Sequence, residues 1–96
     1  MNATIPLEEK KLPQNCYVFK NSTTCPVSAA AAAQVKQIEF DRDLYWVNVI
    51  EQRELSNWIE ETYSTRHESP QLLRIIDGVV SDVWNHNQIK KENVSS

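Results

Sequence analysis

Two cysteines, Cys16 and Cys25, are the only thiols in this chain of 96 residues. Their surroundings differ. Cys25 opens the run Cys25-Pro26-Val27-Ser28, directly ahead of five alanines, Ala29 to Ala33. Proline is favoured at the first position of a helix, where its missing N–H would be unpaired anyway, so Pro26 puts Cys25 at or beside the N-cap. A thiolate rather than a thiol attacks disulfides, and a cysteine with an unperturbed pKa of about 8.5 is mostly protonated at neutral pH. A helix N-terminus supplies unpaired N–H donors and the equivalent of about half a positive charge, and both favour the anion. Cys25 is therefore expected to be an activated nucleophile for thiol–disulfide exchange. In a C-x-x-C site the second cysteine resolves the mixed disulfide, but here that position is Ser28, which can only hydrogen-bond the sulfur. A lone C-P-x-S also describes a capped helix start with an incidental thiol.

The element that delivers Cys25 is Asn15 to Lys20 (NCYVFK), whose β-branched and aromatic content reads as a buried strand. Asn21 to Thr24 supplies the turn. If this strand runs from Cys16 to Lys20, Cys16 lies about 13 Å from its exit at roughly 3.3 Å per residue, too far for a disulfide to Cys25. Cys16 is expected to be a small buried hydrophobe. After the turn, Val27, Ala31, Val35 and Ile38 share one face of a 3.6-residue period, giving a helix with a clear start. The alanines read both as strong helix formers and as small side chains that bring the helix close to a sheet.

Leu44 to Ile50 (LYWVNVI) is a second strand, and the helix between the two makes a βαβ unit with parallel strands. Leu55, Trp58, Ile59, Thr62 and Tyr63 then mark an amphipathic helix, with Glu60 and Glu61 on its wet side. Ser64 to Ser69 is a loop. Pro70 opens the strand Gln71 to Ile76, and Asp77-Gly78 joins it to Val79 to Trp84 as a hairpin. Trp46, Trp58 and Trp84 are expected to pack the core on both sides of the sheet. Gln88 to Ser96 is polar and reads as a frayed helix or a tail.

The order β-α-β-α-β-β, with a weak C-terminal helix and one sheet of about four strands, is an α/β thioredoxin-like layout. It forms a single domain over 1–96 with its core at about 14–88. Ser69-Pro70 strengthens the assignment, because a proline ahead of this strand is where such folds place a cis-proline facing the cysteine.

Composition narrows the partners. A net charge of −3 and a pI near 5.3 argue against a nucleic-acid module, and the longest apolar run, Val27 to Ala33, falls far short of a membrane span. Glu8, Glu9, Lys10 and Lys11 stand where an export signal would be apolar, so a cytoplasmic location is expected. The sequons at Asn2, Asn21 and Asn93 then read as coincidence.

Three separated segments carry a family resemblance: Phe19-Lys20-Asn21-Ser22-Thr23-Thr24-Cys25-Pro26-Val27-Ser28-Ala29-Ala30, Tyr45-Trp46-Val47-Asn48-Val49-Ile50-Glu51 and Arg66-His67-Glu68-Ser69-Pro70-Gln71. In this order they closely resemble the monothiol bacilliredoxins, the YtxJ-like family of the bacillithiol system, over roughly Gln14 to Gln88. The resemblance implies a thioredoxin-like fold and an enzyme, a glutaredoxin-like thiol–disulfide oxidoreductase. It would remove bacillithiol, a cysteinyl-glucosaminyl-malate thiol, from mixed disulfides on client proteins.

On this reading Cys25 is the nucleophile, with Pro26 and Ser28 beside it. Pro70 is the cis-proline, and the backbone of Ser69 pairs with the incoming disulfide. Thr24, Lys20, Arg66 and His67 border the substrate, with Lys20 and Arg66 supplying positive charge for its carboxylates. His67 could instead tune the thiolate or be an ordinary loop residue. No metal and no cofactor beyond bacillithiol as co-substrate are implied. The expected partners are S-bacillithiolated proteins and bacillithiol, with the chain a monomer. The alternative is a redox sensor or binding module whose Cys25 is thiolated without turnover.

Overall fold

The computed structural model describes residues 4–94. The sequon at Asn2 lies outside them. Five strands form one sheet: β1 (Thr4–Pro6), β2 (Cys16–Asn21), β3 (Leu44–Asn48), β4 (Gln71–Ile76) and β5 (Val79–Asn85), in the order β1-β3-β2-β4-β5. Helix α1 (Pro26–Val35) connects β2 to β3, and α2 (Arg53–Tyr63) connects β3 to β4. As expected, β2 and β3 run parallel. β2 also pairs antiparallel with β4, and β4 with β5. The hairpin turn puts Asp77 at φ 53° and Gly78 at φ 81°, the positive values that a two-residue primed turn requires.

Side chains alternate across β2 and divide the core between the two faces of the sheet. Cys16 and Val18 pack with Val47, Leu73, Ile75, Leu55 and Ile59 beneath α2. Tyr17 and Phe19 pack with Leu72, Ala31, Val35 and Leu44 beneath α1. Trp58 joins the first layer, while Trp46 and Trp84 join the second. Phe19 meets Trp46 edge-on with centroids 4.7 Å apart.

Four details extend or correct the expectations. The fifth strand, β1, was invisible as a pattern: three residues are too few to show alternation, and it pairs only with β3. The core also extends beyond 14–88, because Leu7, Ile89 and Val94 are buried. As far as Val94, where the described residues end, the C-terminal segment is neither an α-helix nor a loose tail. A 3₁₀ turn at His86–Gln88 leads into a segment fixed by Trp84 Nε1–H to the Asn93 carbonyl at 3.2 Å and by Lys91 N–H to Gln34 Oε1 at 2.9 Å. On α1, finally, the inward face is Ser28, Ala31 and Val35, and Val27 is exposed.

Candidate functional site

Both segments that bear on the thiol lie at one end of the sheet. β2 leaves the sheet at Asn21, and the turn that follows delivers Cys25 to the start of α1, where it is the N-cap residue in extended conformation (φ −105°, ψ 125°) with Pro26 behind it. The Cys25 carbonyl accepts the Ala29 N–H at 3.1 Å, closing the first helical turn. β4 begins next to this exit: Gln71 pairs with Lys20, and the Ser69–Pro70 peptide ahead of it is cis.

Cys25 is half-buried and free, and its pKa lies below that of an ordinary thiol. The backbone N–H of Ser28 is the largest cause, followed by that of Val27; burial opposes them, and the Ser28 hydroxyl adds the weakest lowering contribution. These are the orphan donors of a helix start, put to use on a sulfur. Ser28 itself is fully buried, and its Oγ accepts the Ser22 N–H at 3.2 Å.

Cys16 sits at the opposite end of β2, completely buried, with its Sγ 3.6 Å from the Pro13 carbonyl. Burial pushes its thiol up to about 11, so it stays protonated. It has neither the position nor the ionisation to resolve a disulfide at Cys25.

The remaining candidates divide. Thr24 is exposed beside the thiol, its Oγ1 3.5 Å from Ser22 Oγ. Ser69 is half-buried, and its Oγ is shut away without a hydrogen-bond partner. Arg66 is out in solvent, its Nε 3.7 Å from Glu68 Oε2. Lys20 is not the bordering surface charge that was expected. Its side chain is fully buried on the α2 face, where Nζ donates to the Ser56 carbonyl at 3.2 Å and lies 3.2 Å from His67 Nδ1. The structure thus joins Lys20 and His67 to each other and keeps Lys20 away from the surface.

Several participants carried no motif. Ser56 Oγ is 3.1 Å from His67 Nδ1, and Glu60 Oε2 accepts the His67 N–H at 2.6 Å, so Glu60 is not simply a solvated face. Ser56 had a faint signal, as a small polar residue between Leu55 and Ile59 on the apolar stripe. Thr23 Oγ1 donates to Glu51 Oε1 at 2.9 Å, tying the turn before Cys25 to the loop after β3. A cleft of about 630 Å³ is lined by Pro26, Val27 and the buried Ala31 of α1 and by His86, Ile89 and Lys90 of the C-terminal segment. Among the described residues no cluster of three or more His, Cys, Asp or Glu is arranged to hold a metal ion, and no helix is long and apolar enough to cross a membrane.

The family described as monothiol bacilliredoxin BrxC matches residues 3–94, nearly the whole chain. The chain belongs to this family. Among solved structures, one described as "a putative oxidoreductase with a thioredoxin fold" is 29% identical, with a TM-score of 0.82 over 94% of this chain and 88% of that one. The reduced form of desulfothioredoxin from Desulfovibrio vulgaris Hildenborough is 18% identical, with a TM-score of 0.54 over 92% of this chain and 88% of that one, and it supports the fold alone. The fold is thioredoxin-like, with a mixed sheet of five strands in place of the expected four or so. Family membership and the first of these structures make this a redox protein.

Proposed function

We propose that this chain is a monothiol thiol–disulfide oxidoreductase that removes bacillithiol from mixed disulfides on client proteins, in the cytoplasm. The observation that carries the reading is the pairing of an activated, accessible Cys25 with Ser28 at the place of a resolving cysteine, while Cys16 is locked at the far end of β2. Such a site can form a mixed disulfide and cannot close it into an internal one.

The Cys25 thiolate attacks the bacillithiol sulfur of a client–S–S–bacillithiol. The client sulfur leaves as a thiolate and takes a proton from water. Cys25 is left in disulfide with bacillithiol until an external thiol attacks that bond and releases Cys25 as the thiolate again. Each step exchanges one S–S bond for another, so no metal or prosthetic group takes part. The cleft lined by Pro26 and Val27, the two residues that follow Cys25, offers room for the rest of the small thiol.

Mixing the protein with a bacillithiolated client, and following client mass alongside Cys25 mass, tests the proposal. Catalytic release of reduced client by the wild type but not by Cys25→Ser is the expected result. A wild type that acquires bacillithiol once and frees no further client would instead make Cys25 a sensor.

A further inference from the structure

The Lys20 ammonium is fully buried, and among the described residues no carboxylate lies within ion-pair distance of it. A buried cation without a counter-charge is expensive, and leucine or methionine would fill the same space without that cost. What Lys20 holds therefore matters. An ammonium has only protons to offer, so the His67 Nδ1 that lies 3.2 Å from it presents a lone pair, and the ring carries its proton on Nε2.

The rest of the segment is anchored around this contact. Glu60 of α2 takes the His67 N–H. Gln71, the backbone neighbour of Lys20 on β4, donates its side-chain amide to the Arg66 carbonyl at 3.0 Å. Residues on either side of Ser69–Pro70 are thus fastened to β2 and α2, with Lys20 at the centre.

We propose that Lys20 is a positioning residue: through Nδ1 of His67 it holds the 66–70 segment in the arrangement that receives the incoming disulfide, without acting on the thiol. This rests on the exchange reaction proposed above, with Ser69 and Pro70 as its receiving edge. Cys25 draws its stabilisation from the start of α1, and Lys20 is not among its causes. The charged and titratable groups facing Lys20 and His67 are Glu60 and Arg53 on α2 and Glu68 on the loop, while the cross-strand neighbours Val47 and Gln71 are uncharged. Burial draws Lys20 down to about 8 against the pull of Glu60, and burial and the Lys20 charge hold His67 below its usual value. The pair therefore keeps a single positive charge, on Lys20, across neutral pH. Above about pH 8 a proton of that ammonium goes to solvent, and the ring is released to exchange tautomers.

The test compares wild type, Lys20→Met, His67→Leu and the double variant in two reactions at one pH: exchange with bis(2-hydroxyethyl) disulfide and alkylation of Cys25 by iodoacetamide. Long-range ¹H–¹⁵N spectra of His67 are recorded on wild type and Lys20→Met. Lys20→Met should slow exchange about tenfold, as a displaced but intact site would, and leave alkylation within about twofold. His67→Leu should do the same, and the double variant should lose no more than either single one. The wild-type ring should show a bare Nδ1 at pH 7, with its tautomer ratio changing near pH 8, and Lys20→Met should abolish that change. A folded Lys20→Met that exchanges like wild type overturns the role given to Lys20 alone, as does an equal loss in both reactions. A wild type inert toward every disulfide overturns the proposed function as well.

Discussion

The backbone N–H of Ser22 points at Ser28 Oγ from 3.2 Å, so the hydroxyl that stands where a second thiol could have been is occupied as an acceptor on one side. Its own proton remains to be given, and Cys25 receives it as the weakest of the interactions that hold down its pKa. The turn before the nucleophile thus orients the group that helps to ionise it.

Ser28→Ala should raise the Cys25 pKa and slow exchange at pH 7 about three- to tenfold, since one donor to the anion is lost. The backbone donors of Ser28 and Val27 remain, so the midpoint should stay below that of a free thiol. A pH profile of iodoacetamide labelling measures both variants. A midpoint unmoved by the substitution would assign Ser28 to packing alone.

Cys16 should be silent in the native protein. Burial raises its pKa to about 11, and its sulfur is fully enclosed, so a colorimetric thiol reagent at pH 8 should titrate one thiol and reach the second only in denaturant. Cys16→Ala should leave exchange within about twofold while costing roughly 1–2 kcal/mol of stability as a small core cavity. Peptide mapping of the oxidised protein should find no Cys16–Cys25 disulfide.

The cost of Lys20 should be measurable. Its pKa is about 8 when folded and 10.5 when unfolded, so the unfolded chain binds more protons between those values and stability rises with pH across that window. Below about pH 8 the full penalty is present. Lys20→Met should therefore stabilise the protein at pH 7 by about 1–3 kcal/mol, with the gain shrinking toward pH 10. Urea unfolding at both pH values reads this directly. A variant more stable than wild type yet slower in exchange would mark Lys20 as kept for the site at the expense of the fold.

The sequence displayed this site unevenly. Cys25, Pro26 and Ser28 were legible because helix initiation is a local event, written in consecutive residues and obeyed in the structure. The hairpin around Asp77-Gly78 was legible for the same reason. The destination of Lys20 is legible in the strand period: Cys16, Val18 and Lys20 alternate at a period of two, which puts the lysine on the inner face beneath α2, although a lysine at a strand end is ordinarily a surface charge. The contacts of Ser56 and Glu60 with His67 join α2 to the loop 7 to 11 positions later, a packing that no periodicity encodes. β1 was hidden because three residues carry no pattern, and its pairing depends on β3, some 40 positions away.

With Lys20 withdrawn from the surface, Arg66 is the expected cation still exposed at this edge, 89% accessible and loosely paired with Glu68. Its contribution to an anionic co-substrate should be modest, because an exposed guanidinium is well solvated and a mobile side chain loses entropy on ordering. Arg66→Ala should slow attack on bacillithiol mixed disulfides about two- to fivefold and leave attack on bis(2-hydroxyethyl) disulfide unchanged. Raising the salt concentration from 20 to 500 mM, roughly a fivefold shortening of the screening length, should erase most of the difference. Glu68→Gln, which frees Arg66 from its neighbour, should move the anionic substrate the other way. Equal slowing of both substrates by Arg66→Ala would show that the guanidinium supports the 66–70 segment, and that the carboxylates of the small thiol are met elsewhere, with Lys90 in the lining of the cleft the next residue to replace.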